Sequence, residues 1–336
     1  MNFTEKLQLA YQKLQSARQI LLIGHVSPDA DALASIGAML EVTAVLGSTG
    51  YAYAANKPAG AYGFIPNERL ITDEEPVDLR AFDVIVILDC GSISRTGLEI
   101  RLRTLLQAAK SGRLARRPYL IEFDHHLPQE AYADLEIRCP DKASTTEIIY
   151  HFLKINGLAI NKALANCILI GLMTDTGHFL HANSSREALA VSSEMLLRGA
   201  SLPKIIENTV NNKSFAALKV WGRALENMRL DPVTGLAASA LTAAEISELL
   251  HPADAPAEAD LYSDIVSFLS TLSGVRVALL LREEGETVKG SLRTTDNEID
   301  LARIAQQWGG GGHRKAAGFK IKGRLARTAT GWKVVK

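Results

Sequence analysis

The chain has 336 residues, 47% hydrophobic and 22% charged, which leaves room for two packed domains and excludes a disordered or collagen-like polymer. Lys plus Arg and Asp plus Glu balance at 37 each, which excludes bulk positive charge for coating long nucleic acid. Three scattered cysteines (Cys90, Cys139 and Cys167) without CxxC spacing, an amphipathic start unlike a secretory signal, and no apolar run of about 18 residues together predict a reduced, cytoplasmic chain with no membrane span.

Leu7, Tyr11 and Leu14 fall at helical spacing and predict an opening helix over 3–17. Leu21, Leu22 and Ile23 then read as a buried strand. Gly24 ends it, Pro28 keeps the turn non-helical, and a helix runs on through Met39. His25, Asp29 and Asp31 stand on either side of that helix start, where open α/β sheets place ligands. One imidazole and two carboxylates suit Mn²⁺ or Mg²⁺ better than a thiolate zinc site, whereas an Asp helix cap explains the same pattern with no metal.

A second strand is expected over 51–54, then an irregular loop through Pro58, Gly60, Gly63 and Pro66. Residues 82–89 form an apolar strand ending in Asp89, and 97–117 a helix with a solvated basic face. A third strand over 118–123 leads into Asp124, His125 and His126. Three strand ends thus deliver Asp or His to one edge, and packing does not account for two histidines following an acid. Ser144, Thr145, Thr146 and Glu147 open a helix to Ile155, with hydroxyl capping as the first reading and phosphate contact as the second. An apolar helix over 163–173 ends at Asp175, a further candidate ligand. His178 and His181 are assigned to a pocket wall or the surface. Residues 183–185 cap a helix over 186–198, and His151 and His251 read as structural.

Beyond Gly199 a helical connector is expected over 202–226. A second domain begins near Phe215, with strands over 236–241, 275–281 and 288–293 and helices over 243–250, 265–272 and 301–307. Residues 253–259 form a Pro-containing loop. Gly309, Gly310, Gly311 and Gly312 precede His313; four glycines cost backbone entropy, so the expected return is close approach to something else and an anion site of N–H groups. A flexible loop beside a solvated face is the plain alternative. From 287 to 336 there are 11 Lys and Arg against 3 Asp and Glu, so this stretch is locally basic.

Taken together, His25-x-x-x-Asp29-x-Asp31-x-x-x-Ser35, Asp89 after an apolar strand, Asp124-His125-His126, and Asp175 in TDTG resemble the motifs of the DHH phosphoesterases. The GGGGHRKAAG stretch, with Ser291-Leu292-Arg293 before it, resembles the DHH-associated C-terminal domain. The resemblance implies an α/β fold: an N-terminal parallel-sheet DHH domain over 1–190, a connector over 191–214 and a smaller C-terminal α/β domain over 215–336, with a cleft between them. It is closest to the nano-RNase (oligoribonuclease) and pAp-phosphatase branch. The implied activity is hydrolysis of short oligoribonucleotides to mononucleotides and of pAp to AMP and phosphate. The implied cofactors are two Mn²⁺, or Mg²⁺.

By position, His25 and Asp29 would hold one ion, and Asp31, His125 and Asp175 the other, with Asp89 bridging. His126 would contact the scissile phosphate or assist the leaving group, and Asp124 would orient a histidine. Arg293, Gly310, Gly311, Gly312 and His313 would contact substrate. Gln129 departs from the Asn that many relatives carry three residues after the second histidine. The partners implied are short RNA or a small nucleotide, no membrane and no long nucleic acid, with a homodimer as one option. A cyclic or linear dinucleotide phosphodiesterase (c-di-AMP or pApA) is the alternative, and a non-catalytic nucleotide sensor the more distant one.

Overall fold

The computed structural model describes residues 1–58, 60, 62–114, 116–128, 130–181, 183–210, 213–250, 261–262, 264–312, 314–328 and 331–335. Gln129, His251, the 253–259 loop and His313 therefore lie outside the described residues. The chain divides into two compact units, Met1–Asn211 and Asn212–Lys336.

Unit 1 is a doubly wound α/β layer structure. Its elements are α1 (Phe3–Ser16), β1 (Gln19–Ile23), α2 (Ala30–Val45), β2 (Thr49–Tyr53), β3 (Ile71–Thr72), β4 (Val84–Leu88), α3 (Glu99–Lys110), β5 (Tyr119–Asp124) and β6 (Leu135–Arg138). Four further helices follow: α4 (Thr145–Ile155), α5 (Lys162–Asp175), α6 (Arg186–Leu197) and α7 (Leu202–Thr209). The six strands pair in parallel in the order β3-β2-β1-β4-β5-β6. β1 and β4 are apolar almost throughout because both sheet faces are covered.

On one face Leu22, Val86 and Phe123 pack with residues of α1, α2, α4, α5 and α6; on the other, Leu21, Ile23 and Ile87 pack with Leu102 and Leu105 of α3. α2 and α5 are buried on nearly every side, as expected of helices with apolar residues all round. The order reverses direction between β1 and β4, so their carboxyl ends open the crevice in which such sheets bind ligands.

Unit 2 holds α8 (Phe215–Glu226), β7 (Arg229–Asp231), β8 (Leu236–Leu241), α9 (Ala243–Leu249), α10 (Ile265–Leu269), β9 (Val277–Glu284), β10 (Thr287–Arg293) and α11 (Leu301–Gln306). It ends with β11 (Gly311–Gly312), β12 (Ala316–Lys322), β13 (Arg324–Thr328) and β14 (Gly331–Val335). Its mixed sheet runs β11-β12-β10-β9-β8-β7, and β13 and β14 form a separate hairpin. The stretch expected as one connector helix is two, α7 and α8, because Ser214 starts a new helix by accepting the Ala217 N–H. Cys90, Cys139 and Cys167 are free thiols. Among the described residues no helix is long and apolar enough to cross a membrane.

Candidate metal centre

The carboxyl ends of β1, β4 and β5 bring His25, Asp89 and Asp124 with His125 and His126 to one edge of the unit 1 sheet. His25 follows β1, and its Nδ1 lies 3.0 Å from the Val26 carbonyl. That contact sets Nδ1 as the donor and leaves Nε2 as the lone-pair nitrogen. Nε2 is buried, has no hydrogen-bond partner, and lies 3.6 Å from Asp29 Oδ2 and 3.9 Å from Asp89 Oδ2. Asp29 serves both expected readings at once: Oδ1 caps α2 by accepting the Ala32 N–H at 3.1 Å, and Oδ2 faces His25.

Asp89 is 1% exposed and has φ of 60°, a left-handed backbone that costs a non-glycine residue about 1 kcal/mol or more. The turn aims its two oxygens in different directions. Oδ2 faces His25, while Oδ1 lies 3.5 Å from His125 Nε2 and accepts the Thr145 hydroxyl at 2.9 Å.

Asp31, in the first turn of α2, is fully buried and takes the N-terminus of α4: the N–H groups of Thr145 and Thr146 donate to Oδ2 and Oδ1 at 2.7 and 3.2 Å. Those amides face Asp31, so the expected secondary phosphate contact at this helix start is replaced by an internal carboxylate. Gly171 makes the approach possible, since a Cβ there would stand 2.1 Å from Asp31 Oδ1 and 2.2 Å from Thr146 Oγ1. Asp175, the last residue of α5, places Oδ2 3.0 Å from His125 Nε2. Asp124 Oδ1 accepts from His126 Nδ1 at 2.7 Å and from the His126 amide at 2.8 Å, and its Oδ2 accepts the Gly91 N–H at 2.5 Å.

Three overlapping donor sets result: His25, Asp29 and Asp89; Asp31, His125 and Asp175; and Asp89, His125 and His126, each within 4.8 Å. Asp89 belongs to two of them. Burial and the Asp175 carboxylate push Asp31 up to about 7, and burial with Asp31 beside it pushes Asp89 well above the carboxylate range. Burial alone would lower His125, but Asp175 pulls it up to about 9. Asp124 is different: burial opposes its ionisation, yet the His126 ring and two backbone amides hold it down at about 2. Crowded carboxylates out of water call for cations. Oxygen and imidazole donors, with a buried orphan nitrogen on His25, fit Mn²⁺-class ions.

His178 Nε2 pairs with Thr209 Oγ1 at 2.8 Å, and His181 is exposed, so neither joins these sets. Sequence reasoning missed two contributors. Gly171 left one trace, a glycine inside an apolar helix. Arg95 left none: it is exposed, and its Nη1 and the His126 ring both lie 3.5 Å from the Cβ position of Gly91.

In unit 2, Lys289, Ser291 and Arg293 alternate along one face of β10, and Lys289 sits opposite Arg282 of β9. They line a cavity of about 280 Å³ with Tyr262 and Ser267. Burial lowers both Arg293 and Lys289, and Arg282 lowers Lys289 further, while Asp264 on the same cavity wall raises Arg293. The glycine run needs a correction. Gly310 and Gly312 are a packing solution after all: a Cβ at Gly310 would meet Gly318 O at 2.1 Å, and one at Gly312 would meet Ala316 O at 2.5 Å. What the run approaches closely is its own strand β12. Gly309 and Gly311 have open space, and Gly311 and Gly312 are exposed.

Residues 19–172 match the N-terminal domain of the DHH family, and residues 244–330 match the DHHA1 domain. The chain belongs to the DHH family. It is 28% identical to the bifunctional oligoribonuclease and PAP phosphatase NrnA of Thermus thermophilus, covering 96% of this chain and 90% of that protein. The crystal structure of an exopolyphosphatase-related protein from Bacteroides fragilis superposes with a TM-score of 0.83 at 26% identity, over 95% of this chain and 92% of that one. The exonuclease RecJ bound to manganese shares the fold, with a TM-score of 0.51 at 18% identity over 96% of this chain and 90% of that one.

Proposed function

We propose that the chain is a two-metal phosphoesterase that cleaves short oligoribonucleotides to mononucleotides and converts pAp to AMP and phosphate. The observation that carries it is Asp89, whose two oxygens face two donor sets. His25 and Asp29 would hold one Mn²⁺, and Asp31, His125 and Asp175 the second, with Asp89 between. When bound, such ions lower the pKa of a water and neutralise charge on phosphoryl oxygens. The similarity to NrnA over nearly the full length supports this substrate class.

The side chains divide the remaining work. Asp124 fixes the His126 ring through Nδ1, which assigns Nε2 to the scissile phosphate or the leaving oxygen. Arg95 supplies a guanidinium beside that ring for a non-bridging phosphoryl oxygen. In unit 2, Arg293 is assigned a phosphate contact, while Gly310 and Gly312 are committed to packing against β12.

The test is a Mn²⁺-supported panel of a 5′-phosphorylated RNA dinucleotide, pAp, a cyclic dinucleotide, pyrophosphate and a long RNA. Fast release of mononucleotide from the dinucleotide with turnover of pAp is the expected result. Preference for the cyclic dinucleotide or for long RNA would overturn the substrate assignment.

A further inference from the structure

We propose a separate metal site in unit 1, built by Glu147 and His151 of α4 and Glu187 of α6, which takes one transition-metal dication of the Zn²⁺ type. Glu147 and His151 are four residues apart and so share a face of α4. Glu187 lies in the first turn of α6, and the three side chains bring donor atoms within 4.8 Å of one another.

Two of these atoms are buried and unsatisfied. The Glu147 carboxylate has no exposure: Oε2 accepts the Ala143 N–H at 2.7 Å, while Oε1 has no hydrogen-bond partner. His151 Nε2 is also buried without one, although Glu187 Oε1 stands 2.9 Å away, because the pair lacks hydrogen-bond geometry. A carboxylate oxygen left so costs more than the cluster needs to spend unless something else meets it. Donors on one tetrahedral ion stand about 3.3 Å apart, and His151 Nε2 and Glu187 Oε1 stand 2.9 Å apart here.

Lys142 meets this need only in part. Its Nζ holds the other oxygen of Glu187, Oε2, at 2.5 Å and stands 3.7 Å from Glu147 Oε1, beyond hydrogen-bond reach. The donor set is thus one imidazole and two carboxylates, with Lys142 balancing charge behind it. That mixture suits a first-row transition-metal dication, with Zn²⁺ as the probe, ahead of Ca²⁺, which prefers oxygen alone. Glu187 is about half exposed, which gives the ion a way in and room for a water. The site shares no residue with the Asp89 centre. An ion here ties α4, whose first turn holds Asp31 and Asp89, to α6.

The experiment is equilibrium dialysis of the metal-stripped full chain against Zn²⁺, with metal counted per chain. His151→Ala is expected to bind one ion fewer than the natural chain. Lys142→Ala is expected to bind that ion roughly tenfold more tightly, because a competing ammonium is gone. Glu187→Gln, a change at a half-exposed position, serves if His151→Ala does not fold, and Zn²⁺ should raise its Tm less than that of the natural chain. Equal ion counts in the natural chain and His151→Ala, or equal Zn²⁺-induced Tm shifts in the natural chain and Glu187→Gln, would overturn the site.

Discussion

Gly171 and Asp31 are locked in a steric relationship: any side chain at Gly171 would overlap Asp31 Oδ1, which stands 2.1 Å from where its Cβ would be. Asp31 is held on its other side by two amides of α4, so it has nowhere to retreat. Gly171→Ala raises helix propensity by about 1 kcal/mol, yet overpacking costs about 1–3 kcal/mol. The expected result is a lower Tm, weaker Mn²⁺ binding and a fall in turnover on the order of 100-fold, the scale of an ångström-sized misplacement. Calorimetry and dinucleotide hydrolysis check it; unchanged Mn²⁺ affinity would sink the argument.

Arg95 is exposed and stands beside Gly91, which also adjoins His126. A charge-assisted hydrogen bond to phosphate is worth about 1.5–3 kcal/mol, so Arg95→Ala should lower kcat/KM roughly 10- to 100-fold while Mn²⁺ binding is retained. Steady-state kinetics with metal counting separates the two. A variant that loses metal instead would make Arg95 a structural residue.

Arg293 lines the basic cavity of unit 2. Arg293→Ala should raise KM with kcat nearly unchanged, the pattern of lost ground-state binding. An unchanged KM would remove Arg293 from the substrate contacts.

Glu194 on α6 accepts from Tyr150 Oη at 2.7 Å and pairs with Lys154 and Arg198. The Tyr150 hydroxyl is the first cause that holds this carboxylate at about 2, against an ordinary 4.5. A depressed carboxylate stabilises the fold above its unfolded pKa and loses that contribution as pH falls through its folded value. The stability gap between the natural chain and Glu194→Gln should therefore be full at about pH 6 and close between about 4.5 and 2. Urea unfolding across that range measures it. Because the group is partly exposed, the gap is small, and added salt should shrink it. A gap constant with pH would contradict the pairing.

The strand-end acids were legible in the sequence because a buried parallel strand is a continuous apolar run, and whatever follows it lies at the ligand edge. Asp89 and Asp124 announce themselves in that way. The division of labour at Asp29, half helix cap and half partner of His25, was not legible, since both readings predict the same residue. The amides of Thr145 and Thr146 could be read as an anion site, but only the fold shows that the anion is Asp31. β6, β7 and β11 to β14 were unread because they are short, polar or glycine-rich and gain their partners from distant parts of the chain. The glycine run looked open to a ligand because a sequence does not show that β12 folds back against it.

The most direct test of the central proposal is the release of mononucleotide from a 5′-phosphorylated RNA dinucleotide by metal-stripped protein, with and without added Mn²⁺, for the natural chain and for Asp89→Asn. The substitution keeps the shape of the side chain and removes the charge shared by two donor sets. Turnover should appear only in the natural chain with Mn²⁺, and Asp89→Asn should be slower by roughly 1,000-fold or more. Turnover by the stripped protein, or by Asp89→Asn within about tenfold of the natural rate, would contradict a metal centre bridged by Asp89.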